Sequence, residues 1–527
     1  MELSSKSIKS ENAFQSPAPL QTAVLLLVFN RPEVTALVFE AIRQARPPRL
    51  YVAADGPRSG RADEAEKCAE VRSIATAVDW PCKVHTLFRE QNIGCRFAPQ
   101  TAIDWFFDSE EEGIILEDDC LPHRDFFTFC EWALNAYRED KVVWHINGNN
   151  FDCAEALFEA KPVGFSALAQ VWGWATWRDR WKSYQGNPFY LMESAQLAMS
   201  NWLLSPIARI NKISHISNLQ RGLDAWDYQW QVAILNQRGL TVSCASNLIS
   251  NYGDGADATH TFLDNRVRLK MRSISTPMEY VQPSLSRRLT DWYENNMGLG
   301  NIRHAAKWLI KLQSKRLKAS LRRFLSKILF RGLKPIVVAG TGRCGSTLLF
   351  QAISEGLVLH RFHLGTGSWL GRTVIGLSRE HAERLSNVVS GFPVYKTHDL
   401  FDSKYANCAK YIFIHGDPLE SAQSVELMVI KHGMIWFDEH LYNLSSQGNI
   451  GDLFEKDILG YENQMSSWLA GDRAVFSLKF EEIWERNDEL SDYLGFEVNF
   501  PVRRSRVPKE GAEGYNIELF RRLRALA

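Results

Sequence analysis

Between residues 23 and 150, short apolar runs alternate with stretches whose apolar positions recur every three or four residues. Ala23 to Phe29, Leu50 to Ala53, Val84 to Phe88, Ile114 to Leu116 and Val142 to Ile146 read as strands, with amphipathic helices over Glu33 to Arg43 and Ala62 to Ala77. Strand and helix in alternation predict an α/β unit with a largely parallel sheet. Ligands of such sheets gather at the carboxyl ends of the strands. Asn30-Arg31, Asp55-Gly56 and Glu117-Asp118-Asp119 each follow a strand directly, so three polar clusters are expected to face one crevice.

The pattern changes beyond residue 160. Trp172, Trp174, Trp177, Trp181, Trp226 and Trp230 crowd a region with few strand signals. Rings of this kind line sugar sites, and more ordinarily they fill a core. From 300 to 334 there are 11 basic and no acidic residues, and Leu309, Leu312, Leu317, Leu321, Leu325 and Ile328 fall near helical spacing. A basic amphipathic helix is predicted, either lying on an anionic membrane surface or packing its apolar stripe on a neighbouring domain. A second α/β pattern begins at Pro335: strand Ile336 to Ala339, a glycine loop, helix Thr347 to Glu355, then strands at Val394-Tyr395, Tyr411 to Ile414 and Val475 to Leu478.

A chain of 527 residues exceeds the growth of a single core, and the pattern divides it into a lead-in without fixed structure (1–20), a first domain (21–265), a basic helical linker (266–333) and a second domain (334–527). With 61 basic against 61 acidic residues, a general nucleic-acid binder is disfavoured. The 9 cysteines are scattered, odd in number and without a CxxC pair, which fits reduced thiols in a cytosol better than a disulfide framework. Neither a signal-peptide layout nor a membrane-spanning run is visible, and a cytoplasmic protein is expected.

Chemistry sharpens both halves. A carboxylate triplet after an apolar strand suits a divalent cation neutralising a leaving diphosphate, and hard oxygen ligands suit Mg²⁺ or Mn²⁺. Val28-Phe29-Asn30-Arg31-Pro32, Ala54-Asp55-Gly56, Ile115 to Asp119, Val171 to Trp177, Trp226 to Trp230 and Asp257 to Thr261, in that order, resemble glycosyltransferases of the GT-A fold. The likeness is to the N-acetylglucosaminyltransferase I-like group and its bacterial relatives sometimes labelled hemolytic protein-like. The resemblance implies Asp119 as metal ligand, Glu117 and Asp118 on ribose or sugar, and Arg31 and Asp55 near the nucleotide of a donor such as a UDP-sugar. It also implies Asp227 as general base of an inverting transfer, on the face opposite the diphosphate. His260 reads as a phosphate or metal contact or, more ordinarily, as a loop histidine, and Asn251 to Gly255 as a lid.

In the second half, strand, glycine loop and helix offer backbone N–H groups to an anion. A nucleoside triphosphatase requires a lysine where Ser346 stands, so the loop departs from that motif. Gly340, Thr341, Gly342, Arg343, Cys344, Gly345, Ser346 and Thr347 instead resemble the 5′-phosphosulfate loop of sulfotransferases using 3′-phosphoadenosine 5′-phosphosulfate. Val394 to His398 resembles their KTH stretch, which implies His398 as base and Arg343 as the loop cation. Tyr411 to Pro418 with Ser424 resembles their 3′-phosphate strand and helix, except that Gly416 replaces the arginine usual before Asp417-Pro418. His415 and the Arg503 to Arg506 run are the candidates to compensate.

The expectation is a fused transferase that adds a sugar and sulfates a hydroxyl on one glycan or glycolipid acceptor. The competing readings of the second half are a phosphotransferase and a noncatalytic, degenerate module that holds glycan.

Overall fold

The computed structural model describes residues 20–61, 63–253, 268–381, 391–405, 407–470, 475–503 and 515–526. The Asp257 to Thr261 motif with His260, the end of the expected lid at 254–255, and Arg504 to Arg506 lie outside the described residues. The chain forms two compact units, Met1–Trp308 and Leu309–Ala527.

The first unit is built on an eight-stranded sheet. Its strands are β1 (Val24–Val28), β2 (Arg49–Ala54), β3 (Lys83–Phe88), β4 (Glu112–Glu117), β6 (Val143–Asn147), β7 (Val163–Ser166), β8 (Trp174–Trp177) and β9 (Leu240–Cys244), in the order β3-β2-β1-β4-β8-β6-β9-β7. Two short strands, β5 (Cys120–Pro122) and β10 (Ile249–Asn251), pair antiparallel beside it. The expected parallel arrangement holds for β3, β2, β1 and β4. Beyond β4 the sheet is mixed, because β8 runs antiparallel to both β4 and β6, and β7 runs antiparallel to β9. The tryptophan-rich motif around 171–177 thus supplies a strand, whose alternation was hidden by residues buried on both faces.

The chain leaves β1 toward β2 and β3 and returns on the other side at β4, which puts a topological switch point between β1 and β4. Helices α1 (Pro32–Ala45), α2 (Glu64–Ala75), α3 (Gly94–Ser109) and α4 (Arg124–Tyr137) cover the sheet. Helix α1 starts at Pro32, which accepts a helical first turn without a backbone donor, and buries Thr35, Val38, Phe39 and Ile42. Trp174, Trp181, Trp226 and Trp230 pack into one core cluster, with Trp181 and Trp230 centroids 5.1 Å apart. His145 stacks on Trp174 and accepts from Trp230 Nε1 at 3.1 Å, so these tryptophans are core rather than a sugar platform. The helix Arg287–Asn296, within the stretch read as linker, buries Leu289 and Tyr293 in this unit.

The second unit carries a wholly parallel five-stranded sheet: β11 (Ile336–Gly340), β12 (Arg379–His381), β13 (Val394–Thr397), β14 (Lys410–His415) and β15 (Val475–Lys479), ordered β12-β13-β11-β14-β15. All five residues of β11 are buried, as its continuous apolar run requires in a central parallel strand. No helix among the described residues is long and apolar enough to cross a membrane.

Candidate functional site

Two clefts gather the residues singled out by the sequence. In the first unit a cavity of ≈ 170 Å³ opens at the switch point, lined by the apolar Leu27, Ala53, Ala98 and Pro99 and the polar or charged Arg31, Arg58, Arg89, Asn92, Glu117 and Asp118. A lining that joins apolar side chains to several cations suits a ligand with an apolar base and phosphates.

Glu117 ends β4, and the turn into β5 carries Asp118 and Asp119. Asp118 Oδ2 accepts from Phe29 N at 3.1 Å, tying the turn to the end of β1. Arg31 Nη1 donates to Asp119 Oδ2 at 2.7 Å and stands 3.7 Å from Asp118. Asn251 Nδ2 donates to Asp119 Oδ1 at 3.2 Å, and Tyr252 N donates to the Asp119 carbonyl at 2.7 Å. The described start of the expected lid is therefore anchored on the expected metal ligand. A side chain at Gly253 would run into Asp119 Oδ2.

Burial, then the neighbouring carboxylates, pushes Glu117 above the usual carboxylate range. Burial raises Asp118 too, with Arg31 opposing. Burial alone would lower Arg31, yet Asp118 and Asp119 together hold its pKa above its ordinary value. Asp227 begins the helix Asp227–Asn236 and adds to the field that raises Glu117, so its charge reaches the same crevice.

Asp55 has a different task. Its oxygens accept from Gly56 N at 2.9 Å, Ile93 N at 3.1 Å and Gly94 N at 3.2 Å, so the side chain shapes the loop entering α3. It lines the cavity while positioning that loop. Asp224, not singled out in the sequence, joins the site. Asp224 accepts from Cys95 N at 2.9 Å and Arg96 N at 2.8 Å at the start of α3. Lys212 is buried, which lowers its pKa to about 8 against the opposing charge of Asp227. A lysine in a helix with serines and isoleucines gave no periodic signal; its partner is 15 positions away in sequence.

In the second unit a cavity of ≈ 520 Å³ lies over the glycine loop. Arg343, Gly345, Ser346, Thr347, Lys396, His398 and Ser424 all line it, together with Trp436, Glu439, His440 and Asn443. The loop joins β11 to the helix Ser346–Phe362. Arg343 sits in the left-handed region at φ 62°, a conformation costing a non-glycine residue about 1 kcal/mol. Gly345 has φ 83°, and a Cβ there would strike the Phe480 ring. Gly340 and Gly342 stand where a Cβ would lie 2.7 Å from Ile414 O and 2.9 Å from His440 Nε2. Thr341 N donates to Ile414 O at 3.2 Å, and the buried Cys344 Sγ lies 3.1 Å from the same carbonyl. Burial pushes the Cys344 thiol pKa up, away from thiolate chemistry.

His398 Nδ1 lies 2.6 Å from Gly340 O. A carbonyl only accepts, so Nδ1 carries a proton here, and Nε2 is the nitrogen that could serve as a base. Arg343 Nε donates to Ser424 Oγ at 3.0 Å, and Lys396 Nζ donates to Thr347 Oγ1 at 2.8 Å, which places two cations over the loop. His415, the candidate to compensate for Gly416, ends β14 with its ring beside Phe413. Burial first, then Lys479, lowers its pKa to about 4, which disfavours a positive charge on the ring. His440 was not foreseen: it is buried under Trp436, with ring planes 13° apart, and its Nε2 meets no hydrogen-bond partner among the described residues. Burial, then Arg343 and Lys396, lowers its pKa to about 3. The sequence hides it as one histidine on the helix Met434–Asn443.

Comparison with known proteins adds little. No family model matches the chain, and no curated protein matches it. Among solved structures, UDP-glucose pyrophosphorylase complexed with UDP-glucose aligns with 42% of this chain and 90% of its own, at 8% identity and a TM-score of 0.22. A likeness of that size supports no argument about function. The α/β architecture with its large mixed sheet stands on the strand pairings themselves.

Proposed function

We propose that the protein is a two-part glycan-modifying transferase: the first unit moves a sugar from a nucleoside-diphosphate donor, and the second moves a sulfuryl group from 3′-phosphoadenosine 5′-phosphosulfate. The observation that carries the reading is the convergence of Arg343, Lys396, Ser424 and a His398 held through Nδ1 by Gly340 O on one cavity over a glycine loop. In the sulfuryl step the acceptor hydroxyl oxygen attacks sulfur, and its proton passes to His398 Nε2. The S–O bond to the 5′-phosphate breaks, and Arg343 and Lys396 stabilise the charge gathering on that bridging oxygen.

In the first unit, Arg31 and Arg58 face the donor phosphates and Asp227 takes the acceptor proton. A divalent cation fits the donor set in kind, since Asp119 offers hard oxygens. Among the described residues no three His, Cys, Asp or Glu side chains are grouped to hold one. Asp119 would therefore share the ion with the donor's own diphosphate oxygens, and the ion would neutralise the departing diphosphate.

The test of the second unit is transfer of radiolabelled sulfate from the phosphosulfate donor to a glycan panel, comparing the native chain with Arg343→Ala. Transfer abolished by the substitution supports the reading. Absence of both transfer and donor binding by the native chain refutes it. A second reading, a degenerate module that holds glycan without turnover, is favoured by Gly416, which leaves the expected 3′-phosphate position without the arginine usual there. Glycan binding without donor turnover distinguishes it. For the first unit, loss of sugar transfer in Asp119→Ala with sulfation of a preformed acceptor intact is expected.

A further inference from the structure

The helix Ile302–Leu329 runs 28 residues, and from Leu309 onward it belongs to the second unit. At about 100° per residue, Ile310, Leu317, Leu321, Phe324 and Ile328 fall within an arc of about 60°. Their fractional exposure runs from 55% to 72%, so this stripe of large apolar side chains stands in solvent. The opposite face is the one that packs. Arg322 Nη2 donates to Gly376 O at 2.7 Å and also to Arg379 O, its guanidinium lies 5.0 Å from the Phe392 ring centre, and Ser326 is fully buried. The helix is thus fixed to its unit by its polar face and presents its apolar face outward, the reverse of a core-facing surface helix.

Charge decides the partner. Seven lysines and arginines and no acidic residue lie between 310 and 328. Lys311 and Lys318 on one side, and Arg316 and Lys327 on the other, flank the stripe at about 80° to 120°. Five protruding apolar side chains find nothing to bury against on a phosphate backbone, which disfavours a nucleic acid. An apolar stripe about 27 Å long between two basic margins matches the boundary between acyl chains and anionic headgroups, where lysine and arginine reach up to the phosphates. We propose that the Ile310–Ile328 face docks flat on a lipid bilayer carrying anionic headgroups. The surface stands apart from the catalytic reading, because it uses no residue of either cleft.

The test is co-sedimentation of the full chain with phosphatidylcholine vesicles, with and without phosphatidylglycerol, across a salt series. Binding to the anionic vesicles, weakened by salt, is expected, with little binding to phosphatidylcholine alone. Leu321→Asp with Phe324→Asp should lower partitioning by about 100-fold. Lys311→Gln with Lys318→Gln should lower it by about tenfold on anionic vesicles only. The lysine pair leaves the apolar stripe intact and carries the test if the aspartates unfold the chain by circular dichroism. A native chain that stays in the supernatant overturns the proposal, as does a stripe variant that folds and binds like the native chain. A native dimer that the stripe substitutions dissociate, without vesicle binding, would assign the face to a second copy instead.

Discussion

Replacing His398 by asparagine separates chemistry from structure at the second cleft. The histidine is almost fully buried, and its Nδ1–H donates to Gly340 O at 2.6 Å. An asparagine amide nitrogen falls close to the position of Nδ1, so His398→Asn keeps a donor for that carbonyl and removes only the far nitrogen. His398→Ala removes both. It leaves Gly340 O, at the end of the central strand, without its donor and opens a void of about an imidazole, a loss of about 2–4 kcal/mol in folding stability. The asparagine variant should stay within about 1 kcal/mol of the native chain, because the bond is retained and the void is smaller. Loss of a general base costs about 10²–10⁴ in kcat, which is about 3–5 kcal/mol on the barrier. Both variants should therefore lose turnover to the same extent while differing in stability. The assays are label transfer under saturating phosphosulfate donor, calorimetric binding of that donor, and urea unfolding. Donor affinity should hold in His398→Asn. An asparagine variant with native kcat would refute the role of Nε2, and one as unstable as alanine would refute the role given to Nδ1.

Gly345→Ala should destabilise the second unit by about 2–4 kcal/mol, since it joins a left-handed backbone at φ 83° to a clash with Phe480. Adding Phe480→Ala should relieve the clash but not the backbone term, so melting should remain below that of Phe480→Ala alone. Arg31→Ala leaves Asp118 and Asp119 without their cation, at a cost of about 3 kcal/mol near neutral pH. Because the folded pKa of Asp118 already lies above its ordinary value, losing Arg31 raises it further. The deficit should shrink as pH falls and the carboxyl is protonated, and a deficit that is independent of pH would contradict this. Lys212→Met should stabilise the first unit by up to about 3 kcal/mol at pH 7. The native lysine's folded pKa of about 8 lies below its unfolded value, so the penalty it carries is complete below that pH. The penalty fades as pH rises toward about 10.4, and the melting difference should fade with it.

The sequence made the parallel half of the first sheet and most strands of the second legible because buried parallel strands are short unbroken apolar runs, as in β1 and β11. It did not show that β8 reverses the sheet, because Trp174 to Trp177 is buried on both faces and offers no alternation. Arg31, Glu117, Asp118 and the glycine loop were readable as cavity-lining positions since each stands at or just beyond the carboxyl end of a strand, where an α/β sheet opens its crevice. Asp224 and His440 were not, for they reach the clefts from a loop and a helix whose neighbours in space are distant in the chain. Asp55 shows the converse: the position was legible, but three backbone donors occupy its oxygens, and only coordinates reveal that. The basic helix was legible as a helix, and the direction of its apolar stripe was not.

The place of β9 in the large sheet has a consequence for synthesis. Leu240–Cys244 lies between β6 and β7, strands that leave the ribosome far earlier. At ordinary elongation rates the edge of β6 waits roughly 5 to 20 s for its neighbour. Throughout that interval Val143–Asn147 exposes a row of unmatched backbone donors and acceptors, a template for pairing with another nascent chain. Overexpression that crowds such chains together should favour inclusion bodies, and slower translation would not help, since it lengthens the wait.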